Sequence, residues 1–85
     1  MEYSVIYSKV AEKYLRSQPK SIRKRIMDAV DELPEGDVRK LQGREGYRLT
    51  IGGFRVLFDY INESSIDIIT IDVITIAPRG DVYKK

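Results

Sequence analysis

Apolar and polar positions change their rhythm several times along this chain, and each change marks an element. Residues 3–7 (Tyr-Ser-Val-Ile-Tyr) are β-branched or aromatic around Ser4 and Ile6, which predicts a first strand. From Ser8 the rhythm turns helical. Val10, Ala11, Tyr14 and Leu15 fall at helical spacing, with Lys9, Glu12, Lys13 and Arg16 on the other side. Ser17-Gln18-Pro19 breaks this helix, and proline at a first helical position can open the next one. Ile22, Ile26, Ala29, Val30 and Leu33 then form a single apolar stripe, which ends at Pro34-Glu35-Gly36-Asp37.

The stretch to Gly46 has no clear period and reads as a connection, with at most a short turn around Val38 to Leu41. Strands are predicted over 47–51 and 54–61, joined by Gly52-Gly53. Two glycines between alternating runs suit a tight hairpin, because the primed turns need positive φ. Asn62-Glu63-Ser64-Ser65 is a second turn, and 66–77 a long Ile-rich strand. The order is β-α-α-β-β-β. It predicts one α+β domain over residues 1–85, a four-stranded antiparallel sheet with a two-helix hairpin packed on one face.

Composition narrows the chemistry. The 85 residues contain neither cysteine nor histidine, so disulfides, thiolate metal sites and imidazole bases are absent. Catalysis would have to run on Arg, Lys, Tyr, Ser/Thr or carboxylates. The start of the chain has no signal-peptide pattern, and the Ile-rich run is interrupted by Asp67 and Asp72 and is too short to span a bilayer. A cytoplasmic protein without membrane contact is therefore expected. Net charge is only +2, so any case for nucleic acid must rest on where the charges sit.

Two arginines share one sheet face. With a two-residue loop at Gly52-Gly53, Ile51 lies opposite Phe54, Thr50 opposite Arg55, Leu49 opposite Val56 and Arg48 opposite Leu57. Side chains alternate, so Tyr47, Leu49, Ile51, Phe54, Val56 and Phe58 share an apolar face that must meet the helices. Arg48, Thr50, Arg55, Leu57 and Asp59 share the other, where Arg48 and Arg55 are diagonal neighbours. A solvated sheet face, with Arg55 paired to Asp59, is one reading. A phosphate-holding face is the other, because guanidinium forks match phosphate oxygens and like charges on adjacent strands repel unless an anion lies between them.

The closing segment Arg79-Gly80-Asp81-Val82-Tyr83-Lys84-Lys85 reads either as a frayed basic tail or as a tail returning to that face, since Val82 and Tyr83 are apolar for a free end. The cations Lys20, Arg23, Lys24 and Arg25 read first as a solvated helix surface. Asp28, Asp31 and Glu32 offer i, i+4 partners, Lys24 with Asp28 among them.

Taken together, Lys40-Leu41-Gln42-Gly43 leading to Tyr47-Arg48-Leu49, then Gly53-Phe54-Arg55-Val56, then Arg79-Gly80-Asp81-Val82-Tyr83 resemble the RelE/ParE superfamily of toxin–antitoxin toxins, specifically the RelE-like mRNA interferases. The resemblance covers essentially the whole chain. It implies an endoribonuclease that cuts translated mRNA in the ribosomal A site. The RNA's own 2′-hydroxyl would attack, with no metal or cofactor. By position, Arg55 matches the arginine that stabilises the charged phosphorane, and Arg79 the arginine assisting the phosphate or the leaving group. Tyr83 matches the tyrosine proposed as general base or stacking group, and Arg48 a basic residue of the second strand. A tyrosine with a pKa of about 10 is a poor base at neutral pH unless cations lower it, and Arg48, Arg55 and Arg79 could do so.

Candidate RNA contacts are Thr50, Lys20, Arg23, Lys84 and Lys85. The family often has a second Lys or Arg where this chain has Thr50. The implied partners are a cognate antitoxin, the ribosome with its mRNA, and operator DNA only through the antitoxin complex. Two alternatives share the fold: a ParE-like gyrase poison, and a degenerate toxin acting as co-repressor with its antitoxin, which the neutral Thr50 favours.

Overall fold

The computed structural model describes residues 2–62 and 68–78. β1 (Glu2–Tyr7) leads into α1 (Lys9–Arg16) and α2 (Lys20–Asp31). β2 (Asp37–Lys40), β3 (Tyr47–Ile51), β4 (Phe54–Asn62) and β5 (Ile68–Pro78) follow. The fold is α+β with both helices on one side of the sheet, as the periodicity predicts.

The sheet itself differs from expectation in two ways. It has five strands in the order β1-β5-β4-β3-β2, and it is mixed, because β1 runs parallel to β5. The parallel pairing follows from the route of the chain. β1 and β2 occupy opposite edges, and the helical hairpin carries the chain across the sheet between them. The extra strand, β2, falls inside the stretch that reads as a connection. It is only four residues long, and its sole apolar side chain is the half-buried Val38. Four residues with three charges carry no readable period, and such a short charged strand is well suited to an exposed edge.

The core lies between the helices and one sheet face. Ala11, Leu15, Ile26, Val30 and Leu33 meet Leu49, Ile51, Val56, Phe58, Ile71, Val73 and Ile76 there. Phe58 is fully buried, stacked on Tyr47 (ring centroids 5.7 Å apart) and edge-on to Tyr60 (5.4 Å). Val10, which falls in the helical stripe of α1, points outward instead and is 63% exposed. Tyr14, on the same helix, is edge-on to Phe54 at 6.5 Å.

The β3–β4 hairpin has the register that the sequence predicts, from Tyr47–Phe58 through Ile51–Phe54. Gly52 has φ +52° and Gly53 is outside the positive-φ region. That pattern suits a type II′ turn, which needs positive φ only at its first central residue.

Candidate functional site

The sheet face away from the helices carries charge in an ordered way. On β2, Asp37 and Arg39 project to this face, because Val38 packs toward the core. One row across the sheet reads Asp37–Thr50–Arg55–Ala77, and the next reads Arg39–Arg48–Leu57–Thr75. Farther along, Asp59 and Asp72 stand directly opposite each other on β4 and β5. The face is therefore basic toward β2 and β3, and acidic toward the far end of the β4–β5 pair.

Arg55 occupies the middle of this face and is 8% exposed, while Leu57 beside it is 7% exposed. A solvated sheet face would leave both open to water, so that reading does not fit. Asp59, the acid proposed to balance Arg55, accepts the backbone N–H of Tyr60 at 2.9 Å. A guanidinium in such a setting acts at lower effective dielectric than one in water, which strengthens its pull on any nearby anion. Arg48 and Thr50 are half-buried neighbours on β3, and Arg48 is diagonal to Arg55.

A cleft of about 510 Å³ opens beside Arg48, lined by Arg39, Lys40, Leu41, Gln42, Arg44 and Leu57. Sequence reading missed Arg39 and Arg44. The signal for Arg39 was available in principle. Once Asp37–Lys40 is taken as a strand with Val38 inward, Arg39 must face outward beside Arg48. Arg44 belongs to the loop between β2 and β3, which no periodicity positions.

Not every candidate joins this face. Lys20 and Arg23 stand on α2, in the helical layer on the opposite side of the sheet. Arg23 has a structural task there. Its Nε donates to the Leu15 carbonyl at 3.2 Å and its Nη2 to the Gln18 carbonyl at 3.3 Å, which ties α1 to the start of α2. Lys24 pairs with Asp28 at 3.0 Å, the i, i+4 contact expected of an exposed helix. Arg25 lies over the hairpin at Gly52, where an added Cβ would meet its guanidinium. Arg79, Tyr83, Lys84 and Lys85 lie outside the described residues.

Burial also perturbs two tyrosines, both away from the basic face. Desolvation, with a smaller contribution from the Asp31 charge, pushes Tyr7 up to about 12. Desolvation, then Tyr3 and Tyr47, raises Tyr60 above its ordinary value. Both therefore stay neutral at physiological pH. Among the described residues no helix is long and apolar enough to cross a membrane.

No protein-family model and no curated protein matches the chain. Solved structures do. A chain of the archaeal RelE–RelB complex from Pyrococcus horikoshii superposes with a TM-score of 0.72 at 28% identity, covering 95% of this chain and 99% of that one. The fold is that of the RelE toxins.

Two further complexes agree on this RelE-like fold. The RelBE2 toxin–antitoxin complex from Mycobacterium tuberculosis gives a TM-score of 0.71 at 18% identity, covering 91% of this chain and 98% of the matched chain. The RelB–RelE complex from Methanococcus jannaschii gives 0.67 at 23% identity, covering 92% and 94%. At those identities the likeness is one of fold. The Pyrococcus match, which spans nearly all of both chains, supports a toxin component of a type II toxin–antitoxin system.

Proposed function

We propose that this RelE-like chain is an endoribonuclease that cuts translated mRNA in the ribosomal A site and is held inactive by a cognate antitoxin in the cytoplasm. The observation that carries the reading is that Arg55, buried at the centre of the sheet face away from the helices, has Arg48 on its diagonal. Phosphoryl transfer needs fixed positive charge where negative charge accumulates, and a buried, sheet-mounted guanidinium supplies it without reorganisation.

In the proposed reaction the RNA's 2′-hydroxyl oxygen attacks the adjacent phosphorus. The bond from phosphorus to the 5′-oxygen of the next nucleotide breaks. The products are a 2′,3′-cyclic phosphate and a free 5′-hydroxyl. Arg55 stabilises the phosphorane, with Arg48 and Arg79 sharing its charge. Tyr83, as its phenolate, takes the 2′-hydroxyl proton, or stacks on a base while water takes it, and the departing 5′-oxygen receives its proton from water. The ribosome supplies substrate position, and positioning of reactants can be worth roughly 7–11 kcal/mol of barrier. An antitoxin partner follows by analogy with the complexes above, and amphipathic helix-in-groove docking and strand addition are the physical modes available to it.

Thr50 favours one competing reading, a toxin-like co-repressor with little cutting activity. Its neighbours across the row are Asp37 and Arg55, so the position adds no positive charge. Primer extension after induction separates the two, using translated and untranslated versions of one transcript. Cuts confined to the translated version are expected. Equal cutting of both, or none in either, would remove the ribosome-dependent reading.

A further inference from the structure

We infer that the cleft between Tyr3, Pro34, Tyr60 and Ile69 is a docking site for a segment of the antitoxin in which apolar side chains alternate with Lys or Arg. The inference deepens the proposed function and rests on its reading that an antitoxin holds the chain. Tyr3, Ile69 and Tyr60 come from the neighbouring strands β1, β5 and β4, and Pro34 from the turn after α2. Val5 and Tyr7 pack against the core, so Tyr3 shares their side of the sheet. The cleft, about 440 Å³, is an end of the core-side face that no helical residue lines. Its walls are uncharged and preformed. Tyr60 is edge-on to Phe58 at 5.4 Å and to Tyr47 at 5.2 Å, which fixes its ring, and Tyr3 is 41% exposed. Apolar side chains and the aliphatic stems of Lys or Arg both fit such walls, and a cation can sit on a tyrosine face.

The rim is acidic. Pro34 follows the C-terminal end of α2, where Asp31, Glu32 and Glu35 are all exposed. The last turn of α2 has no basic residue, although the helix dipole makes a C-terminus a place where cations stabilise and carboxylates do not. None of the three carboxylates forms an ion pair or a side-chain hydrogen bond with a described residue. Their field reaches β1, since Asp31 contributes to the raised pKa of Tyr7. A partner that brings cations relieves this crowding, whereas RNA, a polyanion, is repelled by it. A small cation fills only the cleft. A chain segment also spans the carboxylates spread from residue 31 to 35.

The cleft lies on the helix side of the sheet, and Arg55 on the other. Docking here therefore anchors the antitoxin without covering Arg55, and a different segment of the antitoxin must do the inhibiting. A tethered second segment acts at high effective concentration, so an anchor of modest strength still tightens the whole complex.

The test uses the purified, isotope-labelled full chain, followed by NMR, and three short synthetic peptides. In one, leucines alternate with lysines; in the second, leucines alternate with glutamates; in the third, serines alternate with lysines. Only the first should bind, shifting the amide signals of Tyr3, Glu35, Tyr60 and Ile69. Tyr3→Ala and Glu32→Gln/Glu35→Gln should each weaken it by about tenfold, the scale of a single hot-spot contact. Glu12→Gln/Asp28→Asn, which removes the same charge from exposed positions elsewhere on the helices, should leave it unchanged. No binding by the lysine–leucine peptide, equal binding by either of the others, or an unchanged affinity in either cleft variant would overturn the docking site.

The occupant is tested with the protein encoded beside this gene. Tyr3→Ala should weaken that complex by a similar factor while translated mRNA is cut at the parent rate, and an unchanged complex would overturn the antitoxin as occupant. Peptide binding involves no cleavage, so the two readings fail separately. A chain that binds as expected yet never cuts mRNA sinks the proposed activity and leaves the cleft standing. A chain that cuts translated mRNA but shows no amide shifts sinks the cleft alone.

Discussion

The Ser8 hydroxyl donates to the Ile74 carbonyl at 2.6 Å, and Ile74 is the residue at which the β4–β5 ladder slips. Pairing passes from Leu57–Thr75 to Phe58–Val73, so Ile74 has no partner on β4. This extra residue reverses the alternation of β5. Val73 and Ile76 both reach the core, and the small Ala77 falls beside Arg55 on the open face. The same Ser8 oxygen accepts the Ala11 N–H at 3.0 Å and so caps α1. One side chain therefore couples the first helix to the bulge that sets the far half of the site.

Ser8→Ala should lose about 1–2 kcal/mol of stability, the upper part of the range for a lost N-cap. In a domain of this size each kcal/mol lowers the thermal midpoint by roughly 4–8 °C. Ser8→Thr, which keeps the oxygen, should recover most of it. Melting curves followed by circular dichroism decide the matter, and a midpoint unchanged in Ser8→Ala would dismiss the coupling.

Arg55→Ala should reduce mRNA cleavage by on the order of a hundred- to a thousand-fold, the usual effect of deleting one donor aimed at transition-state charge. Arg55→Lys should remain well below the parent, because an ammonium lacks the bidentate fork. Since Arg55 is 8% exposed, the alanine variant needs a melting curve beside its activity. A folded Arg55→Ala protein that cuts at the parent rate would end the proposed role.

Gly52 and Gly53 should respond differently to alanine. Gly52 has φ +52°, where an L side chain costs roughly 1–2 kcal/mol, and its new Cβ would also displace the Arg25 guanidinium. Gly53 has open space around it and no positive φ. Gly52→Ala should therefore lower the melting temperature by several degrees, whereas Gly53→Ala changes it little. Equal effects would contradict the turn geometry.

Tyr7 should make the fold sensitive to alkali. Its hydroxyl is buried with no hydrogen-bond partner among the described residues, and burial raises its pKa from 10.0 to about 12. The folded state then holds the proton more tightly than the unfolded chain. Stability from this source is complete below pH 10 and is lost as pH rises from about 10 to 12. Tyr7→Phe removes that dependence, and the difference between parent and variant melts isolates it from the lysines. Parallel losses in the two proteins would show that Tyr7 contributes nothing.

Much of this molecule is written in local patterns. The stripe from Ile22 to Leu33 specifies a helix with one buried side, because a 3.6-residue period leaves one arrangement that hides it. The Gly52-Gly53 hairpin fixes the register that puts Arg48 diagonal to Arg55, since strand alternation has a period of two and a short turn allows no slip. Tertiary structure decided what no window of sequence carries. β2 is too short to show a period, so its pairing depends on β3 already being in place, and with it the meeting of Arg39 and Arg48. The parallel pairing of β1 with β5 joins segments more than sixty residues apart. The burial of Arg55 and the idle surface position of Val10 follow from packing around each side chain, which its neighbours in the chain do not specify. The Ile-rich run has apolar residues on both faces, so no alternation in the sequence marks Ile74 as the residue that leaves the ladder.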